Sequence, residues 1–184
     1  MRALLLLAGA ARALTARHLL NGTCSSLAKR LDDSFLVPRL EKALQAAKPP
    51  AVQVFANAAH ALLLENFLCG LPALHLRDHV VVWAADAETN GRMRSYLPSV
   101  RIVDVSSAFG SSEDAPFQSE AYAEFAAVKA LMPHAAAALG FLTLTQDADV
   151  VWLADVPSYL RRFHAASYAC RRAASPPSTP PRTV

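Results

Sequence analysis

Apolar positions along the chain follow two rhythms that alternate from about residue 36 to residue 160. Leu36, Leu40 and Leu44 share the spacing of one helix face. Pro38 fits only a first turn, so a helix is predicted to begin near Val37, and Lys48-Pro49-Pro50 ends it. Ala51 to Ala56 reads as a short strand with β-branched Val52 and Val54, closed by Asn57. Leu64, Phe67, Leu68 and Leu71 then recur at i, i+3, i+4 and i+7, and Gly70 and Pro72 mark the end of that helix. His79 to Ala84 is almost continuously apolar, as a strand covered on both faces should be. Acids at Asp86 and Glu88 open a third helix that runs to about Leu97, and Val100 to Val105 is the next strand. Ser106 to Ser119 is polar and long for a connection, a length typical of functional or mobile loops. Glu120 to Leu139 carries Phe125, Val128, Met132 and Leu139 on one stripe, with Pro133 expected to kink or split it and Gly140 to cap it.

Strand and helix alternate throughout, which predicts an α/β fold with a mostly parallel sheet and helices on both faces. Ligands of such sheets bind outside the carboxyl ends of the strands. Asn57, Asp86, Ser106 and Asp147 all fall at those ends.

The stretch from Phe141 to Asp155 carries the most chemistry. An apolar run drives into Gln146 and then Asp147-Ala148-Asp149 before turning apolar again. Read as a strand, its alternation puts both carboxylates on one side, where they repel each other and are costly to desolvate. A hard cation such as Mn²⁺ or Mg²⁺ relieves both costs, because it prefers oxygen ligands and shares them with phosphates. The plain alternative is a solvated turn, where Asp is common. Three chemistries stay open on these residues alone. One is a metal-dependent nucleotide-sugar site. Another is a haloacid-dehalogenase-type phosphatase, whose D-x-D-x-[TV] pattern Asp147 to Val151 fits. The last is a fold whose acids bind nothing. The phosphatase needs a later Lys and later acids, yet the chain has no Lys after Lys129 and no Asp after Asp155.

A net charge of +3, 53% hydrophobic and 18% charged residues fit a globular chain, and basic residues do not interleave with aromatic ones, so nucleic acid is not an expected partner. Cys24, Cys69 and Cys170 form neither a zinc motif nor a disulfide framework, and Cys69 reads as a core residue. Before Asp32 the chain has no acid but has Arg2, Arg12, Arg17, Lys29 and Arg30, and Ala3 to Ala11 is apolar. A secretory signal, an organelle transit peptide and a plain surface helix are the three readings of that segment. Asn21-Gly22-Thr23 is a glycosylation sequon if the chain is secreted. The expected organisation is a targeting and linking region over 1–50, an α/β domain over 51–165 and a Pro/Ser-rich disordered tail over 166–184.

Lys129, Gly140, Asp147, Asp149, Val151, Trp152, Leu153, Asp155 and Pro157 follow one another in an order that resembles the nucleotide-diphospho-sugar transferase family. This is a GT-A-type group that includes plant arabinosyl- and xylosyltransferases. Leu64-Glu65-Asn66-Phe67-Leu68, His79 to Val82 and Asp86 are similar to its opening, so the resemblance spans roughly Ala51 to Leu160. Val156 departs from it by separating Asp155 from Pro157.

The resemblance implies a GT-A-like, Rossmann-like fold, here expected to be incomplete because the acceptor-binding half is missing after the motif. It also implies transfer, with retention, of a sugar such as arabinose or xylose from a UDP-sugar donor to a glycan or glycoprotein acceptor, with Mn²⁺ or Mg²⁺ as cofactor. Asp149 and Asp147 would be metal ligands, with Asp147 also near the ribose. Asn57 and Asp86 would lie near the nucleotide, and Lys129 near the diphosphate or bracing the site. Trp152 is expected to be a core anchor and Asp155 a turn or cap residue. The Golgi, with membrane association through the amino terminus, is the matching location. A truncated donor-binding or scaffold domain is the alternative from another class.

Overall fold

A computed structural model of the chain describes residues 25–33, 35–96, 99–109, 116 and 119–162. Two helices come first, α1 (Ser25–Asp33) and α2 (Leu36–Ala46). They are followed by β1 (Ala51–Ala56), α3 (Ala61–Gly70), β2 (Val80–Ala84), α4 (Ala87–Tyr96), β3 (Arg101–Asp104), α5 (Glu120–Ala138) and β4 (Thr143–Gln146). The four strands form one sheet in the order β3-β2-β1-β4. All three pairings are parallel, with Val52 opposite both Val80 and Leu144, and Trp83 opposite Val103. The fold is therefore the expected GT-A-like α/β type.

Every residue of β1 and β2 is buried, because helices cover both faces of the sheet. Ala51, Phe55, Val81, Trp83 and Val103 point to one side and pack against Leu36, Leu40, Val128 and Met132. Val52, Val54, Val80 and Val82 point to the other, against Leu64, Phe67, Leu68 and Met93. The two sets alternate residue by residue, so a one-residue slip would exchange the faces. In β1 the polar side chain of Gln53 is fully buried with every group paired. Its amide nitrogen donates to the Met132 carbonyl at 3.1 Å and to Thr143 Oγ1 at 3.0 Å, while its oxygen accepts from Trp83 Nε1 at 3.0 Å.

Several expectations need correcting. The packed core does not start at Ala51: Leu27, Leu31, Leu36 and Leu40 of α1 and α2 are fully buried in the same cluster as Phe55 and Trp83. Two short helices are marginal alone, and burying their apolar faces on the sheet is what holds them. Pro133 does not split its helix, since α5 is continuous from Glu120 to Ala138. The proline ring only deprives the Lys129 carbonyl of its usual amide donor, while Val128, Met132, Ala135 and Ala136 dock both halves on the core. Cys69 is exposed on α3 rather than buried. Gly140 behaves as expected: it takes φ 83°, and the amides of Gly140 and Phe141 return to the carbonyls of Ala137 and Ala136.

The largest difference concerns the acidic stretch. β4 stops at Gln146, and Asp147-Ala148-Asp149 is a turn beyond it. Asp147 and Asp149 are exposed, and Ala148 between them is buried. The acids still flank an inward-pointing residue, but turn geometry rather than strand alternation places them, and neither is desolvated. Residues 1–24 of the expected targeting region, with Asn21-Gly22-Thr23, most of the polar loop and the expected tail over 166–184 lie outside the described residues.

Candidate functional site

The chain lays down β1, β2 and β3 in one direction, then crosses through α5 to place β4 on the far side of β1. The strand order therefore reverses between β1 and β4, and the carboxyl ends there diverge into a crevice. A cavity of about 220 Å³ opens at that point. Phe55, Ala56 and Asn57 from the end of β1 form one wall, and the Asp147-Ala148-Asp149 turn forms another. The third wall is Tyr122, Phe125, Ala126 and Lys129, one face of α5 at i, i+3, i+4 and i+7. The core stripe of the same helix, Val128, Leu131, Met132 and Ala135, is offset from it.

Behind this wall Phe55, Phe109 and Phe125 meet edge to face, with ring centroids 5.4–5.7 Å apart. At the rim, Lys129 Nζ donates to Asp147 Oδ1 at 2.7 Å. Both side chains are about half exposed, 46% and 60%, so the pair is screened by water. Asn57 is buried, and its Oδ1 lies 2.6 Å from His60 Nδ1.

Of the residues singled out in the sequence, Asn57, Lys129, Asp147 and Asp149 meet in this cavity, and Asp86 does not line it. One Asp86 oxygen accepts from the Thr89 amide at 2.7 Å and caps α4; the other accepts from the Ala58 amide at 2.7 Å. Asp86 thereby fixes the short 3₁₀ turn Ala58–His60 that follows Asn57. Trp152 is an anchor, as expected: its ring meets Phe67 edge to face at 5.6 Å, and its Nε1 donates to Gln146 Oε1 at 3.0 Å. That bond clips the segment after the acidic turn to the end of β4. Asp155 is a cap, since its Oδ1 accepts from the Ser158 amide at 2.9 Å at the start of the helical turn over residues 156–162. Hydrogen bonds from the Ser158 hydroxyl and amide lower its pKa. Val156 therefore sits at the first helical position and Pro157 at the second, where proline is tolerated.

His60, Tyr122, Phe125 and Ala126 are the lining residues that the sequence reading missed. Tyr122, Phe125 and Ala126 carry a signal, a second helical stripe on α5 that leads to Lys129, whereas His60 lies in the 3₁₀ turn after β1 and carries none.

The donor set suits a hard divalent cation only in part. Asp147 and Asp149 offer exposed carboxylate oxygens, and the Lys129 ammonium already shows that a cation is attracted there. Among the described residues no group of three or more His, Cys, Asp or Glu comes together. Two carboxylates with the remaining positions left to water and phosphate oxygens is the usual arrangement for Mg²⁺. The pair fits a cation that arrives with a phosphorylated ligand.

Fold and crevice define an open α/β protein with a cavity at the switch point of its parallel sheet. The chain belongs to the nucleotide-diphospho-sugar transferase family, whose sequence model matches residues 75–173. No curated protein and no solved structure matches it. The matched segment includes Asp86, Lys129, Asp147 and Asp149, and it leaves Asn57 and the Leu64–Leu68 stretch outside. Membership makes a nucleotide sugar the expected donor and glycosyl transfer the type of activity.

Proposed function

We propose that this crevice is the donor site of a glycosyltransferase, taking a UDP-sugar, with arabinose or xylose as the leading sugars, for transfer to a glycan or glycoprotein acceptor. The observation that carries this reading is the meeting of Asp147, Asp149, Lys129 and Asn57 at the switch point of the sheet, in a chain of this family. Asp147 and Asp149 would hold Mn²⁺ or Mg²⁺. The cation supplies Lewis-acid neutralisation of the diphosphate leaving group.

The chain's own residues have distinct parts in this scheme. Lys129 reaches the rim on a flexible stem and offers donors to phosphate oxygens. Asn57, held by His60, lines the crevice where the nucleotide would lie. Phe55 and Phe125 give the crevice an apolar wall. At about 220 Å³ the cavity is smaller than the ~300–1,000 Å³ usual for a ligand site. It accommodates part of the donor, so the remainder would rest on surfaces around the mouth.

A second reading, donor binding without transfer, is favoured by one observation. Among the described residues, Asp147 and Asp149 are the carboxylates that line the cavity, and both are assigned to the cation, which leaves no further described acid there to act on an acceptor. The phosphatase reading draws no support from a family of sugar transferases. We place the activity in the Golgi, with the membrane reached through the amino terminus, on the acid-free and apolar-led sequence of residues 1–31 alone.

The deciding experiment is calorimetric titration of the chain with UDP, with and without Mn²⁺. Mn²⁺-dependent binding that disappears in Asp149→Ala is the expected result. Binding that is indifferent to Mn²⁺, or that survives Asp149→Ala, would overturn the metal-site assignment.

A further inference from the structure

The Lys129–Asp147 ion pair has a consequence for the order in which ligands enter. We infer that Lys129 acts as a built-in competitor for the cation and thereby couples cation binding to nucleotide binding; this rests on the donor-site reading above.

Lys129 Nζ holds Asp147 Oδ1 at 2.7 Å, so one of the two carboxylates is already neutralised before any ligand arrives. Asp149 has no ion-pair partner among the described residues. A cation entering alone therefore meets one available acid and an ammonium that it must displace. That repulsion and displacement weaken its binding.

A nucleoside diphosphate changes the balance. Its phosphate oxygens offer the Lys129 ammonium an alternative partner at the same rim, and the long stem of lysine lets the charge move without moving α5. With Lys129 drawn to the diphosphate, Asp147 is released to the cation, and the phosphate oxygens complete the cation's shell. Each ligand thus favours the other, and thermodynamic linkage makes the factor the same in both directions. The pair is exposed at both ends, which keeps the exchange cheap.

The test is a four-constant cycle on the full chain and on Lys129→Met, which keeps the stem and removes the charge. Mn²⁺ binding is read from the loss of the free-ion paramagnetic resonance signal, alone and with UDP. UDP binding is read by calorimetry, alone and with Mn²⁺.

In Lys129→Met the affinity for Mn²⁺ alone should rise about two- to fivefold, the equilibrium worth of an exposed ion pair. UDP in the presence of Mn²⁺ should bind more weakly, and the coupling factor should fall towards one. Lys129→Arg, which keeps the charge, should retain the coupling. A gain in Mn²⁺ affinity is a change that a merely structural lysine would not produce when removed. Equal or weaker Mn²⁺ binding by Lys129→Met, or no measurable Mn²⁺ binding by either protein, would overturn the inference while the wild-type chain still binds UDP with Mn²⁺. Failure of the wild-type chain to bind UDP with Mn²⁺ would instead overturn the donor-site reading, and the inference with it.

Discussion

The acids that follow β2 and those that follow β4 at the carboxyl end of this sheet have opposite fates. Asp86 follows β2, is 9% exposed, and gives each oxygen to a backbone amide at 2.7 Å. Asp147 and Asp149 follow β4, face water, and have only the Lys129 ammonium as a described ion-pair partner. A carboxylate whose lone pairs are taken by amides shapes the protein, and one whose oxygens face a cavity can take a ligand. β2 is an inner strand whose end must feed a helix, so its acid is recruited as a cap. Among the described residues β4 has a strand neighbour on one side, and its end opens into the crevice at the reversal of strand order.

The largest effect expected from this contrast is on stability. Asp86→Ala strips a helix cap and leaves the Ala58 and Thr89 amides unpaired, at a cost of about 2–4 kcal/mol. The shift should appear as a lower urea midpoint with an unchanged slope. Asp149→Ala, made on an exposed turn, should stay within about 0.5 kcal/mol of the parent in the same assay. Equal losses in the two variants would erase the distinction between them.

The ligand assay should order the same variants the other way. Asp149→Ala is expected to lose about 100-fold or more in Mn²⁺-dependent UDP affinity, which corresponds to roughly 2.7 kcal/mol. Asp86→Ala, measured where it is still folded, should weaken binding only through the turn that follows Asn57. A loss by Asp86→Ala as large as that of Asp149→Ala would mean that Asp86 meets the nucleotide itself.

Sequence periodicity carried most of the fold, for a physical reason. Leu64, Phe67, Leu68 and Leu71 are all buried, as are Leu36, Leu40 and Leu44, because an amphipathic stripe has one low-energy place to go. The cavity is legible as far as it depends on strand ends, which is why the sequence points to Asn57, Asp147 and Asp149 among its lining. Asp86 is legible as the acid that opens α4, whereas its second bond, to the Ala58 amide, is not, since sequence spacing cannot show which distant amide an acid will meet. Gln146 marks the end of β4 in the sequence, but the apolar run that resumes at Val150, Val151 and Trp152 does not show that the acids between sit on an exposed turn. Trp152 belongs to the core without belonging to the strand. Gln53 was overlooked because a lone amide in an apolar strand reads as noise until Trp83, Met132 and Thr143 are seen around it.

Asp155 offers the smallest and sharpest test, because it is a capping acid like Asp86 but lies on the half-exposed segment after the site. Asp155→Ala should cost about 1 kcal/mol, the usual worth of a cap, whereas Asp155→Asn keeps a capping oxygen and should cost only a few tenths. The pH dependence separates the charge from the cap. The Ser158 hydroxyl and amide hold the folded pKa of Asp155 below the ordinary aspartate value. The unfolded chain therefore takes up the proton first as pH falls. The stabilisation from the ionised carboxylate is complete above the unfolded value near 4 and is lost as pH drops through the lower folded value. Urea titrations of the parent and Asp155→Asn between about pH 7 and pH 3 should accordingly diverge slightly at neutral pH and converge below about pH 4. A gap that stays constant across this range would show that the cap works by its oxygen alone, without help from its charge.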